Sequence, residues 1–284
     1  MLIKLLKYDL RALYKYWWIC AILSITFSAI GGVSYNILSI KLPLWSAEID
    51  GLMYMCIFCS ALIGIMVAIF GISAFLLATE VFIFIRFYKH FFSDEGYLTF
   101  TLPVKRATLL NSKIISAFFL HLSTIAIIIG GVCIFIFLGV PMTNLRVIFN
   151  DIGKSIGELV QGIGIANFTI IALELLAGGI ITVIASHLSI LLCITFGSII
   201  VKRGKVFAAI GIYYLASTLL SGLMQILSTF SYIFLPGILI NMTANEGGII
   251  ISMILLPVII LFIAVTVAMY ALELYMIDRK LNLA

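Results

Sequence analysis

Charged side chains are scarce in this sequence. Only 10% of its 284 residues are Asp, Glu, Lys or Arg, against about 25% in an average soluble protein. Hydrophobic residues make up 64% of the chain. So few charges cannot cover the surface of a soluble fold of this length, and the same apolar excess excludes a disordered chain. The sequence therefore predicts an integral membrane protein.

Charge is absent above all from six long stretches, in which two histidines are counted as neutral. They run over residues 16–40, 51–79, 114–145, 175–201, 206–245 and 247–272. Each exceeds the roughly 20 residues that a helix needs to cross hydrocarbon, and none alternates with the period of a strand. Because lipid offers backbone groups no water, such stretches form helices. We expect an all-α integral membrane protein with six transmembrane helices in a single domain, residues 1–284.

Basic residues predict the orientation. If the N-terminus is cytoplasmic, 14 of the 17 Lys and Arg residues lie inside, and only Lys41, Arg146 and Lys154 lie outside. This asymmetry is typical of cytoplasmic loops and predicts cytoplasmic termini, hence an even number of crossings. Two crossings in the stretch 206–245 would give seven. We favour one crossing, about 206–227, followed by a re-entrant hairpin around Pro236 and Gly237 before the last span.

Residues 1–16 have an amphipathic pattern. Apolar side chains that include Ile3, Leu6 and Leu10 share one helical face, while Lys4 and Lys7 lie on a face beside it. The pattern predicts an interfacial helix along the inner membrane surface, with its cations near anionic headgroups. Such a helix either anchors the chain or acts as a lever on the first span.

The motifs that resemble catalytic or cofactor sites are incomplete. Cys56 and Cys59 lie inside a predicted span without a second pair, and Gly153-Lys154-Ser155 lacks the earlier glycine of a phosphate-binding loop. We therefore expect no catalytic, cofactor-binding or metal-binding residues, no enzyme activity and no nucleic-acid partner. His187 lies deep in the fourth span, where an ionisable group indicates a possible translocation path. The alternative is a neutral histidine bonded to a neighbouring hydroxyl.

The segment 86–113 is the longest predicted cytoplasmic loop. Its middle combines the acids Asp94 and Glu95 with the aromatic residues Tyr97 and Phe100. A loop that faces only water has no need of this apolar surface, whereas a short amphipathic segment that docks into a protein groove does. The alternative is a segment that folds back onto the bilayer surface.

One run in this loop carries a family resemblance. Asp94-Glu95-Gly96-Tyr97-Leu98-Thr99-Phe100-Thr101-Leu102-Pro103, followed by Leu109-Leu110 and Ser112-Lys113, resembles the loop between the second and third spans of bacterial ABC type-2 exporter permeases. The predicted layout of the whole chain is also similar to that family. Lys105 departs from it, because related members often carry serine or threonine there.

The resemblance implies a multi-pass permease of the bacterial cytoplasmic membrane. Its partners would be two cytoplasmic ATP-binding subunits, which would hold ATP and magnesium, and a second permease of the same or a related sequence. This chain itself would bind no cofactor. The principal coupling segment would comprise Asp94, Glu95, Tyr97, Leu98 and Phe100, and a secondary contact would involve Lys202 and Arg203.

Three functional hypotheses follow. The first is an ATP-driven exporter subunit; spans with few charges suit amphipathic, antimicrobial or toxin-like peptides, with lipids or hydrophobic drugs as alternative cargo. The second is an ATP-independent, proton-coupled channel or carrier that uses His187 and the membrane glutamates. The third, an intramembrane enzyme, is disfavoured because no candidate nucleophile has a matched base.

Overall fold

Every regular element in the described part of the chain is helical. A computed structural model describes residues 2–45, 50–92, 96, 104–201, 204, 206–219, 222, 225, 229 and 244–279. The all-α prediction is thereby confirmed. The elements are α1 (Leu2–Asn36), a π-helical segment (Ile37–Lys41), α2 (Leu42–Trp45), α3 (Gly51–Phe92), α4 (Arg106–Gly139), α5 (Met142–Ile163), α6 (Ile165–Ile200), α7 (Val206–Leu219) and α8 (Ala244–Arg279).

Five of the described helical segments are long and apolar enough to cross a membrane: Ile3–Leu44, Gly51–Phe92, Arg106–Gly139, Ile165–Ile200 and Gly248–Asp278. The chain is thus a multi-pass membrane protein. At a rise of about 1.5 Å per residue, α3 is about 63 Å long, twice the roughly 30 Å of a hydrocarbon core. Over its described residues, helix α7 is apolar but shorter than a span. The predicted hairpin around Pro236 and Gly237 lies outside the described residues.

The predicted interfacial helix over residues 1–16 is not a separate element. Helix α1 runs unbroken from Leu2 to Asn36, and the sequence places no glycine before Gly31 and no proline before Pro43. Its N-terminal half packs against protein, because Asp9, Leu13 and Trp17 are all buried. The amphipathic segment is thus the first part of one long helix, and its position along the inner membrane surface stays a prediction.

The π-helical segment precedes a proline. The backbone N–H of Leu42 donates to the carbonyl of Ile37, five residues earlier. The next residue, Pro43, has no N–H, and its ring would clash with the carbonyl of Ser39 in a regular α-helix. The wider π turn relieves this clash while α1 passes into α2.

The chain forms two compact units. Residues 3–86 and 115–153 form the N-terminal unit, and residues 87–114 and 154–284 form the C-terminal unit, together with the first two residues. The prediction of a single permease domain stays a prediction.

In the N-terminal unit, α1 packs parallel to α4 and antiparallel to α3. Trp17 Nε1–H donates to Thr124 Oγ1 (3.0 Å), and Asn36 Nδ2–H donates to the carbonyl of Gly139 (3.3 Å). A Cβ at Gly32 would lie 2.7 Å from the carbonyl oxygen of Phe135, so α1 and α4 approach each other at backbone distance. Small residues allow this approach in membrane helices, where dispersion contacts replace the hydrophobic effect.

Polar and ionisable side chains join the helices of this unit. Thr79 Oγ1 lies 3.2 Å from Thr124 Oγ1, and His121 Nδ1 lies 3.3 Å from Glu80 Oε1. Arg86 Nη2 donates to Asp9 Oδ1 (3.3 Å), so the cation that follows the second predicted span pairs with α1 rather than with Glu80. Meanwhile large apolar side chains on α3 point outward, which suits a lipid surround.

In the C-terminal unit, α6 and α8 run parallel. Ser252 Oγ–H donates to Glu174 Oε1, and Thr195 Oγ1–H donates to Glu273 Oε1, each at a distance of 2.6 Å. The number of residues between the two pairs is the same on α6 and on α8, and residue numbers increase from the first pair to the second on both helices. A parallel pair of spans has both of its N-termini on one membrane face.

We predict that the pair of Asp9 and Arg86 stabilises the N-terminal unit. Arg86→Gln should lower stability by about 1–3 kcal/mol, because Asp9 is buried and loses a charged partner. Thermal unfolding in detergent measures the loss. The double variant Asp9→Asn plus Arg86→Gln should lose less than the sum of the single variants, and Lys7→Ala, an exposed cation on α1, is the control. Additive losses would contradict the pairing.

Candidate functional site

The predicted coupling residues lie outside the described residues. This applies to Asp94, Glu95, Tyr97, Leu98 and Phe100, and also to Lys202 and Arg203 of the secondary contact. Gly96, Gly204 and the helix ends on both sides are described. The described part of the site therefore consists of the helix ends before and after these two segments.

The end of α3 supports the first segment from its N-terminal side. Phe87 and Phe91, one helical turn apart, are buried at 2% and 1% exposure. Gly96 is also buried, and a Cβ on it would lie 2.8 Å from the carbonyl oxygen of Phe91. No side chain fits at that distance, so Gly96 contacts the last turn of α3 with its backbone.

The start of α4 supports the segment from its C-terminal side. Leu109 and Leu110, two of the positions that carry the family resemblance, are buried, as are Ser112 and Lys113. A lysine 3% exposed requires polar surroundings, because an isolated ammonium group is costly to remove from water. These four positions thus form part of a packed interior rather than a solvated linker.

Arg106 joins the start of α4 to the end of α8. Its Nη1 donates to the carbonyl of Ile277 (2.8 Å) and to Asp278 Oδ1 (3.3 Å). The last carbonyls of a helix have no partner within the helix and carry the negative end of its dipole, so a guanidinium is favoured there. One turn further along α4, Asn111 Oδ1 accepts from the Tyr270 hydroxyl (2.9 Å).

The turn that carries the secondary contact is a tight helical hairpin. A Cβ at Gly197 on α6 would lie 2.7 Å from the backbone nitrogen of Ala209 on α7, and Ala209 is fully buried. Gly204 has a φ of +76°, a left-handed conformation that favours glycine. Helices α6 and α7, which precede and follow this segment, therefore approach each other at backbone distance.

Helix α8 contacts both α4 and α6. Tyr270 and Ile277 bond to α4, and Glu273, which lies between them on the same helical face, accepts from Thr195 on α6. Glu273 and Thr195 are each fully buried, and Glu273 Oε2 has no hydrogen-bond partner among the described residues. One face of α8 thus links the helix after the principal coupling segment to the helix before the secondary one.

His187 is fully buried on α6. Its Nδ1 lies 2.5 Å from the carbonyl oxygen of Val183 and 3.3 Å from Ser186 Oγ. Since a carbonyl only accepts, Nδ1 carries a proton in this contact. The geometry resembles the structural alternative, with the bond made to a backbone carbonyl, and a role of His187 in a translocation path stays a prediction.

Two of the membrane glutamates, Glu174 and Glu273, are far from this histidine. Glu174 is 13 residues from His187 on α6, about 20 Å along the helix axis. Glu273 bonds to Thr195, about 12 Å further along α6 in the other direction. Direct proton transfer requires hydrogen-bond distances, so these three groups alone do not form a relay.

No cluster of three or more His, Cys, Asp or Glu side chains occurs in the described ranges. The five cysteines are free thiols, and Cys56 and Cys59 are exposed on α3. Comparisons of the chain with protein-family models, with curated proteins and with solved structures gave no match.

Sequence reasoning missed the partners that hold the site. The sequence gives no indication that Asp9 pairs with Arg86, because the two residues are 77 positions apart. Arg106 was counted only as a cytoplasmic cation, although a basic residue that begins a helix cannot favour that helix's own dipole. The spacing of Tyr270 and Glu273, three residues apart, is the feature of the sequence that could have indicated a polar face on α8.

We predict that Gly96→Ala displaces the coupling segment from α3. The added methyl group meets the backbone of Phe91, so the segment must shift, and trypsin should cut at Lys105 or Arg106 about 10-fold faster. Mass spectrometry of timed digests in detergent measures the cleavage. The control is Gly130→Ala on α4, where a Cβ meets nothing within 4 Å. Equal cleavage of the two variants would contradict the close contact.

Proposed function

We propose that this chain is the membrane-spanning subunit of an ATP-driven exporter of the ABC type-2 class. The observation that carries the proposal is the grouping of residues 87–114 with α6–α8 in one compact unit. In that unit, Arg106 bonds to the end of α8. The segment that resembles a coupling element is thus flanked by helix ends that are packed and bonded to a span.

Such packing is what an ATP-driven mechanism requires. This chain would contribute no ATP site, so force from a cytoplasmic ATPase must enter through a contact on its surface. A solvated loop would absorb the displacement. A segment joined to two packed helix ends, with Phe87 and Phe91 buried on one side and Leu109 and Leu110 on the other, would transmit it to α4 and, through Arg106, to α8. Coupling then means that the ATPase contact and the cargo path favour different arrangements of these helices.

The parallel packing of α6 and α8 supports six spans. Two parallel spans require an odd number of crossings between them, because each crossing reverses the chain direction. Residues 201–243 would therefore cross once, with the remaining residues in a re-entrant hairpin, rather than twice. Six crossings would put both termini on one face, and the excess of basic residues supports a cytoplasmic location of that face.

This topology predicts that tags on both termini are accessible from the same side. In a cysteine-free background, Lys154→Cys should react with an impermeant maleimide in right-side-out vesicles, and the control Lys105→Cys should react only in inverted ones. Terminal tags should be cleaved by protease only in inverted vesicles. Seven crossings would instead expose the two tags on opposite sides.

The cargo proposed is an amphipathic peptide of the antimicrobial or toxin-like kind, with lipids or hydrophobic drugs as alternatives. The support is chemical: the described spans carry few ionisable groups, and two carboxylates of the C-terminal unit, Glu174 and Glu273, bond to hydroxyl groups on neighbouring helices. A path with so little charge suits a molecule with a large apolar face.

The proposal predicts recovery of an ATP-binding protein with the tagged chain from its native membrane. Tyr97→Ala plus Phe100→Ala should lower that recovery about 10-fold, because aromatic anchors carry much of the energy of a docked helix. Mass spectrometry and an ATPase assay in mild detergent measure the effect. The control is Tyr8→Ala plus Phe70→Ala, two exposed aromatic residues on α1 and α3.

A second variant separates binding from coupling. Arg106→Ala should retain the ATP-binding protein but uncouple its ATP hydrolysis from added cargo, because the contact surface remains while the bond to α8 is lost. Arg106→Lys should restore part of the coupling. Recovery of the chain alone, together with transport driven by a pH gradient in liposomes, would contradict the proposal and favour the proton-coupled carrier.

A further inference from the structure

Helix α5 is amphipathic, with apolar residues on one face and charged residues elsewhere. Met142, Leu145, Phe149, Ile152, Ile156 and Leu159 are spaced alternately three and four residues apart, which places them on one face of the helix. The charged side chains Arg146, Asp151, Lys154 and Glu158 lie off that stripe. We call the six apolar residues the α5 stripe.

The described part of the chain leaves five of the six residues of the α5 stripe uncovered. Phe149 is 67% exposed, Leu159 is 54% exposed, and Ile152 and Ile156 are each 49% exposed; Leu145 is the one buried member. A stripe this apolar on a helix 22 residues long requires a partner, because a contiguous exposed apolar surface marks an interaction site.

The ends of α5 show where that partner lies. Val140 and Pro141 separate α5 from the apolar helix α4, and Gly164 alone, with φ of +85°, separates it from the apolar helix α6. Both neighbours are long enough to span a membrane. Each end of α5 is therefore joined, within two residues, to a helix of membrane-spanning length.

An upright orientation of α5 conflicts with the start of α6. The helix is about 33 Å long, so an upright α5 would carry Ile165 that far from the membrane face. Ile165 and Leu173 are 72% and 67% exposed, and an upright α5 would hold these apolar side chains in water. An α5 that lies along the membrane surface avoids this cost.

We propose that α5 lies in the membrane interface, with the α5 stripe inserted at the boundary of headgroups and acyl chains. The partner is a lipid surface. The two cations and two anions of α5 balance, so apolar burial rather than attraction to anionic lipid holds it there. Gly153 and Gly157 weaken α5 as a free helix in water, and insertion of the stripe stabilises it.

The test uses the full chain in phosphatidylcholine vesicles. In a cysteine-free background, Ile152→Cys and Ile156→Cys place an environment-sensitive fluorophore on the stripe, and Lys154→Cys and Glu158→Cys are the matched controls on the polar face. Quenching by a nitroxide near the top of the acyl chain should be about 3-fold stronger on the stripe, and quenching by iodide should show the reverse order. Phe149→Cys provides a further stripe position.

Two results would overturn the proposal. Equal iodide quenching at all positions would mean that α5 stands in water. Shielding of the stripe from both quenchers, with energy transfer between labels on different chains, would mean that a second copy covers it. A requirement for anionic lipid would also contradict it, because the balanced charge of α5 predicts the same quenching with and without phosphatidylglycerol. None of these results depends on an ATP-binding partner.

Discussion

Hydrocarbon contains no water to bond a carboxylate, so the glutamates between these spans need a polar partner on a neighbouring helix. Glu174 with Ser252 and Thr195 with Glu273 satisfy this constraint, and together they fix the register of α6 against α8. A shift by one turn would separate both pairs at once. Two short bonds thus determine that the helices run parallel, and the proposed number of crossings follows from that direction.

The same constraint makes α8 a common element for the proposed coupling. Its buried Glu273 holds α6, and Arg106 and Asn111 of α4 bond to the turns on either side of it. Because dispersion packing between apolar helices is interchangeable with packing against lipid, these polar bonds are the specific links between the three helices. A displacement at the start of α4 reaches α8 through them.

Much of the fold can be predicted from the sequence, because helix length and apolar composition are local properties. Runs such as 51–79 and 175–201 lie within α3 and α6. What the sequence leaves open depends on contacts: the continuation of α1 through residue 16 follows from the burial of Asp9 and Trp17, and the pairing of Asp9 with Arg86 joins residues far apart in the chain. The spacing of apolar residues in the sequence also indicates the amphipathic helix α5. Its charged residues interrupt the long apolar runs that identify spans, so a search for such runs passes over it.

Two helical segments outside the proposed hydrocarbon region differ in their pattern of side chains. At the cytoplasmic end predicted by the basic residues, α3 continues past a bilayer's thickness with Phe87 and Phe91 packed against protein. At the opposite end, α5 keeps its apolar side chains uncovered by protein. If a span could move freely along the membrane normal, a force on its cytoplasmic end would only displace it in that direction. An interfacial helix resists that displacement, so a flat α5 would turn force applied at the coupling segment into movement within the membrane plane.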